Sequence, residues 1–138
     1  MKAIDTNILI RFLIGDDELQ AKKVYTIFKK AESEKKELFV PLLVILEMVW
    51  VLESVYDIPR AEILDSINDL LLMPIFKFDQ LSALQQFSHS AQGNPYDLSD
   101  LLIAHSAKTN GCETVITFDK KVSKFQLFEL AKGCRLVK

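Results

Sequence analysis

Short apolar runs alternate along this chain with longer segments in which apolar residues recur at helical spacing. The short runs predict five strands, at residues 2–4, 38–41, 75–78, 113–117 and 134–137. The longer segments predict helices around 8–10 and at 16–36, 42–55, 60–72, 79–91 and 98–110. This alternation is typical of an α/β domain, in which helices cover both faces of a parallel sheet. Since no linker-like stretch interrupts the pattern, we predict one domain over residues 1–138.

Composition and charge narrow the classes of function. Apolar residues make up 49% of the chain and charged residues 26%, as in ordinary globular proteins. Because the formal net charge is −2, a nucleic acid would have to be bound by a local basic patch or through metal ions. We find no signal peptide and no apolar run of about 20 residues, so we expect a cytoplasmic protein without a membrane span. Cys112 and Cys134 are then interpreted as reduced thiols that fill the core, with a redox pair as the alternative.

Two aspartates follow predicted strands, at the positions where parallel sheets usually carry their chemistry. Asp5 follows the first strand and Asp119 follows the fourth. If these two strands are neighbours in the sheet, their carboxylates converge. Taken singly, each residue is better explained structurally, Asp5 as a helix N-cap and Asp119 as a turn residue.

Two more acids lie in apolar segments. Glu47 is the only charged residue between Glu37 and Glu53, and an ionised carboxylate among apolar neighbours is costly without a partner or a metal. The alternative is that Glu47 lies on an exposed stripe of its helix. Asp100 falls in the first turn of a predicted helix, where the helix dipole alone also favours an acid. Asp97 is interpreted first as the cap of this helix and second as an accessory ligand.

A cluster of carboxylates has a clear chemical use. Carboxylate oxygens are hard ligands that suit Mg²⁺ or Mn²⁺. Bound ions of this kind can activate water and neutralise the charge that develops on a phosphodiester. Because the cluster without metal would repel phosphate, a phosphodiester substrate requires a metal cofactor.

Four motifs then carry a resemblance to a known family. They are Asp5-Thr6-Asn7, Glu47 in its apolar helix, Asp100-Leu101-Leu102-Ile103-Ala104 and Thr117-Phe118-Asp119. In this order they resemble the PIN-domain family, and most of all the VapC-type ribonuclease toxins of toxin–antitoxin pairs, over essentially the whole chain. The resemblance implies a three-layer α/β/α fold with a five-stranded parallel sheet. It also implies Mg²⁺- or Mn²⁺-dependent cleavage of RNA, a homodimer and a cognate antitoxin.

By position, the resemblance implies roles for individual residues. The acids that match its catalytic and metal-binding positions are Asp5, Glu47, Asp100 and Asp119. The polar residues that match supporting positions are Thr6, Asn7 and Thr117. Asp97 is an additional acid, which leaves open whether position 97 or 100 is closer to the metal, and we favour Asp100.

Several basic residues and two histidines lie outside the acidic positions of these motifs. Four cations near the first and last motifs are candidate contacts for RNA phosphates: Arg11, Lys120, Lys121 and Lys124. The alternative is that they are ordinary solvated surface residues. His105 is predicted to lie at the surface or in an interface, and His89 belongs to no supporting motif.

Three other classes of protein compete with this interpretation. A phosphatase of the haloacid dehalogenase type needs a second aspartate at position 7, which is Asn7. A receiver domain needs an aspartate after its third strand, which Asp79 could imitate, but no suitable lysine follows and Glu47 is left unexplained. A catalytically silent PIN-like binding or scaffold module would not need acids at all four positions.

Overall fold

The computed structural model describes residues 1–132, and the chain separates into two compact units. The first unit is Met1–Leu81, and the second begins at Ser82. Both units combine helices with parallel strands, so the predicted α/β class is confirmed. The prediction of one domain over residues 1–138 stays a prediction, as does the layering of helices on both faces of a sheet.

The first unit follows the predicted order of elements, with ends that differ by a few residues. Its elements are β1 (Lys2–Ala3), α1 (Thr6–Ile14), α2 (Glu18–Ser33), β2 (Leu38–Val40), α3 (Leu42–Ser54), α4 (Arg60–Leu71) and β3 (Phe76–Phe78). Gly15 ends α1 with φ +66, a left-handed conformation that glycine adopts without steric cost. The N-cap of the next helix is Asp17, whose side chain accepts a hydrogen bond from the Gln20 N–H at 3.0 Å.

The strands of the first unit form a parallel sheet in the order β1-β2-β3. Leu38 of β2 lies opposite Lys2 of β1 on one side and Phe76 of β3 on the other. Because parallel strands need crossover connections, helices α1 and α2 link β1 to β2, and α3 and α4 link β2 to β3. All three carboxyl ends therefore lie at one edge of this sheet, and α1 and α3 begin there.

A row of phenylalanine rings connects α1 and α2 to strand β3 of the sheet. The ring of Phe28 in α2 meets Phe12 of α1 and Phe76 of β3 edge-on, with centroids 5.0 and 5.2 Å apart. Phe76 in turn meets Phe78 at 5.7 Å. Such edge-to-face pairs add to the gain from burial, since the positive edge of one ring faces the negative face of the next. The row fixes α1, and with it the start of the helix that Asp5 caps.

The described part of the second unit has two helices and two short strands. Its elements are α5 (Leu81–Ala91), α6 (Leu98–Thr109), β4 (Val115–Thr117) and β5 (Phe128–Leu130), with a 3₁₀ turn at Val122–Lys124 between the strands. The strands are parallel, with Val115 opposite Phe128. Buried side chains from α6, from the segment between the strands and from β5 form one cluster: Ala104, Val122, Leu127 and Phe128. This cluster anchors the segment that begins with Asp119.

The predicted five-stranded sheet is wrong for the described residues. Their strands form one parallel sheet of three strands and another of two. Apolar periodicity indicates where a strand occurs, but strands of two or three residues offer too few ladder hydrogen bonds to specify their neighbours. The strand β5 was not predicted, and the strand predicted at 134–137 lies outside the described residues.

The end of α6 also corrects the interpretation of the cysteines. Gly111 adopts φ +88 after the helix, and the Cys112 N–H donates to the Ala107 carbonyl at 3.0 Å. This turn leaves Cys112 exposed, so its predicted place in the core is wrong. Cys134 lies outside the described residues. Among the helices of residues 1–132, none is long and apolar enough to cross a bilayer.

Candidate active site

Asp5 lies between β1 and α1 and is the N-cap of the helix. Its Oδ1 accepts a hydrogen bond from the Ile8 N–H at 3.3 Å, which confirms the capping role. Its other oxygen accepts no hydrogen bond from any described residue. Thr6 is buried directly after the cap, whereas Asn7 is exposed. Since a carboxylate offers roughly four lone-pair positions, capping leaves Asp5 able to bind a further ligand.

Glu47 lies on the exposed side of α3. It is exposed, and its neighbours one turn away, Leu43 and Trp50, are 75% and 58% exposed. The alternative of an exposed stripe is therefore correct, and the argument that burial of Glu47 would demand a metal does not hold. Helices α1 and α3 pack against each other within the first unit, so Asp5 and Glu47 are carried by neighbouring helices.

Asp97 caps α6 in the second unit. Its Oδ1 accepts hydrogen bonds from the N–H groups of Ser99 at 2.8 Å and Asp100 at 3.4 Å, which confirms its predicted capping role. No described residue donates to its other oxygen. The cap places Asp100 in the first turn of α6, on the same helix end as the exposed Asp97.

Asp119 closes a tight turn after β4. Its backbone N–H donates to Thr117 Oγ1 at 3.0 Å, and its Oδ1 accepts from the N–H groups of Lys121 at 2.8 Å and Val122 at 3.2 Å. The turn role of Asp119 is thus confirmed, and the Thr117 hydroxyl holds the backbone of this acid in place. As at Asp5 and Asp97, the second carboxylate oxygen has no donor among the described residues.

Three acids of the second unit, Asp97, Asp100 and Asp119, interact electrostatically. Partial burial raises the pKa of Asp100, and the negative charges of Asp97 and then Asp119 raise it further. The helix dipole at the start of α6 favours an ionised Asp100, but burial and the two like charges outweigh it. Among the described residues, no lysine or arginine forms an ion pair with any of these three carboxylates. Uncompensated charge therefore collects at this end of α6.

The chemistry of these donors fits a hard divalent cation. Carboxylate oxygens free of protein donors are the ligands that Mg²⁺ and Mn²⁺ prefer, and a cation would relieve the repulsion around Asp100. Within residues 1–132, however, no three acidic, histidine or cysteine side chains are arranged so that they could hold a metal ion. Asp5 and Glu47 belong to the first unit and the three aspartates to the second, so convergence of all the acids stays a prediction.

Arg11 is engaged within the first unit. Its Nε donates to Gln20 Oε1 at 2.7 Å, and its Nη1 donates to Asp16 Oδ1 at 2.8 Å and to the Tyr56 hydroxyl at 3.1 Å. The Tyr56 hydroxyl in turn donates to Asp16 Oδ2 at 3.2 Å. These contacts hold the turn between α1 and α2 against the end of α3. The role of Arg11 toward RNA stays a prediction, and several of its donors already serve the fold.

His105 corrects another prediction. It is only 5% exposed, and neither ring nitrogen has a hydrogen-bond partner among the described residues. Burial lowers the pKa of His105, and the nearby charge of Lys108 lowers it further, so the imidazole is neutral at pH 7. The surface position was wrong because α6 is buried over a wider arc than its apolar spacing indicates. His89 is exposed.

The segment around Asp119 also shows a feature that the sequence did not point to. Lys120, Lys121 and Lys124 are exposed, as expected for phosphate contacts and equally for surface lysines. Phe118, directly before Asp119, is 88% exposed. The alternation of side chains along a strand is the signal that could have indicated this exposure. Phe118 lies two positions after Ile116 and is therefore expected on the same face as that residue, which is also exposed.

Comparison with known proteins bears directly on this site. A family model described as the PIN domain matches residues 2–126 of the chain. The chain belongs to the PIN domain family. A curated relative of this PIN domain, the VapC ribonuclease of Aquifex aeolicus (strain VF5), is 27% identical to it over 124 residues. The aligned part covers 90% of this chain and 91% of that protein, so the resemblance to VapC-type proteins is confirmed.

The matched region of this PIN domain contains every acid discussed above, from Asp5 to Asp119. Asp5 and Asp119 each follow a strand, in agreement with the general rule that α/β sheets carry their chemistry beyond the carboxyl ends of strands. The negative charges of Asp97 and Asp119 both act on Asp100 in the first turn of α6. The assignment of these acids to a metal-binding site stays a prediction.

Proposed function

We propose that this PIN domain is a divalent-metal-dependent endoribonuclease that hydrolyses phosphodiester bonds in RNA. The observation that carries the proposal is Asp100 in the first turn of α6, a partly buried carboxylate whose pKa the charges of Asp97 and Asp119 raise, in a protein of the PIN family. Such an arrangement costs free energy unless a cation occupies it. The similarity to a VapC ribonuclease supports RNA as the substrate.

In this proposal the acids share the work of binding metal and positioning water. Asp5, Glu47, Asp100 and Asp119 are the proposed catalytic and metal-binding residues. Asp97 holds the start of α6 through one oxygen and offers the other as an accessory ligand, while Asp100 lies closer to the metal. Thr117 keeps Asp119 in place, and Thr6 and Asn7 support Asp5.

The chain alone would repel its substrate at this position, because carboxylates and phosphodiesters are both negative. A bound Mg²⁺ or Mn²⁺ would neutralise charge that develops on the phosphodiester and lower the pKa of the attacking water. The carboxylates would orient that water, and Lys120, Lys121 and Lys124 would contact neighbouring phosphates.

The proposal extends to partners and to the cellular role. We infer that the protein is the cytoplasmic toxin of a toxin–antitoxin pair and that it forms a homodimer. The relationship to a VapC ribonuclease supports this role. The exposed side chains of Leu43 and Trp50 on α3 support a surface that another protein covers, since they lie one turn to either side of Glu47.

Cleavage of single-stranded RNA by the purified chain tests the function. We expect cleavage with Mg²⁺ or Mn²⁺ and none in excess chelator. Cleavage that is equally fast with chelator would contradict the role of metal. No cleavage of any RNA by a folded, metal-loaded protein would instead favour a silent PIN-like binding module.

A further inference from the structure

An exposed aromatic ring lies directly beside a proposed catalytic acid. Phe118 is 88% exposed, more than any other large apolar side chain among the described residues. No other aromatic ring of residues 1–132 lies against it. A single exposed apolar side chain needs no explanation by itself. This one belongs to the residue directly before Asp119, with about 3.8 Å between the two Cα atoms, so an RNA strand held at Asp119 would pass beside it.

The backbone on both sides of Phe118 is fixed by hydrogen bonds. Before it, the N–H of Ala131, the residue directly after β5, donates to the Thr117 carbonyl at 2.7 Å. After it, the Asp119 N–H donates to Thr117 Oγ1 at 3.0 Å, and the Ser123 N–H donates to the Asp119 carbonyl at 3.0 Å. The ring is therefore presented from an ordered turn. Binding to it costs only the freedom of two side-chain torsions, which is a small entropy loss for the area it offers.

Positive charge follows the ring. Lys120, Lys121 and Lys124 are exposed, and among the described residues none of them pairs with a carboxylate. An aromatic ring next to unpaired lysines is the combination by which proteins bind single-stranded nucleic acids, with bases stacked on the ring and phosphates near the cations. A protein partner would gain from the ring but would need acidic groups for the lysines, whereas RNA satisfies both at once.

We propose that Phe118 is a stacking platform for one base of single-stranded RNA, next to the phosphodiester bond that is cleaved. Lys120 and Lys121 contact phosphates on the same strand. This inference rests on the proposed ribonuclease function, and it makes the enzyme prefer single strands, because bases inside a duplex are already stacked and paired. Phe118 is thus a residue that positions the substrate, not one that takes part in the chemistry.

A binding experiment with a fluorescent base tests the platform. The probe is a single-stranded oligoribonucleotide that contains 2-aminopurine, whose fluorescence is quenched when it stacks. The protein is the Asp5→Asn variant, which binds without cutting in the proposed function. To it we add Phe118→Ala, Phe118→Trp or Ile116→Ala. Ile116 is the matched control, since it is an apolar residue of β4 that is 69% exposed and lies two positions earlier.

We expect Phe118→Ala to weaken binding of the probe by roughly five- to a hundredfold and to abolish the quenching. Phe118→Trp should keep both, because any aromatic face can stack a base, and Ile116→Ala should change neither. Unchanged affinity and quenching in Phe118→Ala would overturn the proposal. An equal loss in Ile116→Ala would also overturn it, since a general apolar surface would then be responsible.

A parallel assay separates this inference from the proposed function. Cleavage of an unlabelled single strand is measured for the chain with native Asp5, with and without Phe118→Ala. We expect a raised KM and a nearly unchanged kcat. If the native chain cuts RNA and Phe118→Ala has the same KM, the platform fails while the nuclease stands. If the native chain never cuts RNA but Phe118→Ala loses quenching, the nuclease fails while the platform stands as an RNA-binding feature.

Discussion

Replacing Asp5 separates the two roles proposed for its carboxylate. One oxygen caps α1 through the Ile8 N–H at 3.3 Å, and the other is proposed to bind metal. Asp5→Asn keeps a side-chain oxygen for the cap but removes the negative charge, because asparagine caps helices about as well as aspartate. Asp5→Ala removes both the cap and the charge. The pair of variants therefore distinguishes a structural residue from a metal ligand.

The expected magnitudes differ clearly. Loss of the cap in Asp5→Ala should lower the free energy of unfolding by about 1 kcal/mol. For a chain of 138 residues this is about 3 °C in melting temperature. Asp5→Asn should change the metal-free melting temperature by about 1 °C or less. In the native chain, metal at about 100 times its Kd should add about 2.7 kcal/mol, or roughly 8 °C.

Thermal melting in chelator and in a series of Mn²⁺ concentrations measures both effects. We expect Asp5→Asn to melt like the native chain in chelator and to lose most of the rise with Mn²⁺. A full rise with Mn²⁺ in Asp5→Asn would show that Asp5 is only a helix cap. An equal loss of metal-free stability in both variants would show that the cap depends on charge, and the separation of roles would then fail.

Further predictions concern pH, charge and salt. Burial lowers the pKa of His105 below its ordinary value of about 6.5, so the unfolded chain takes up this proton first and stability is lost as the pH falls below that value. Melting temperatures between about pH 7.5 and 5 should therefore fall less steeply in His105→Leu than in the native chain, with the exposed His89→Gln as control, and equal slopes would refute the reasoning. The raised pKa of Asp100 has the opposite effect on stability, which it lowers as the pH rises, because the folded chain disfavours the ionised carboxylate. Asp100→Asn should therefore raise the melting temperature in chelator and abolish the stabilisation by Mn²⁺, and a lowered value in chelator would contradict this. Replacing Lys120 and Lys121 together by Gln should weaken binding of single-stranded RNA and reduce the slope of log affinity against log salt by about 1.4, whereas an unchanged slope would exclude them as phosphate contacts.

Much of the local structure could be predicted because single residues carry strong signals. Asp5, Asp97 and Asp119 each make the cap or turn contact that their sequence positions predict. These contacts span only two or three residues, so neighbours in the sequence determine them. The order of strands and helices in the first unit followed from apolar spacing for the same reason.

Features that depend on distant contacts could not be predicted in this way. Burial of His105 depends on what packs around α6, and exposure of Glu47 depends on which face of an almost wholly apolar helix is covered. The pairing of β4 with β5 depends on a strand, Phe128–Leu130, that has only three residues. The apolar residues of this strand are too few to be distinguished in the sequence from those of the turn before it. The acids stand as candidates from their sequence positions, but how the strands pair required the structure.

RNA cleavage by matched variants tests whether this PIN domain is a metal-dependent ribonuclease. Initial rates are measured on one single-stranded RNA with Mg²⁺, Mn²⁺ or chelator, for the native chain and for Asp100→Asn, with folding of both checked by circular dichroism. We expect metal-dependent cleavage by the native chain and a rate at least about a hundredfold lower in folded Asp100→Asn, since loss of a metal ligand removes several kcal/mol of transition-state stabilisation. Equal rates for the two proteins, or cleavage that persists in chelator, would contradict it.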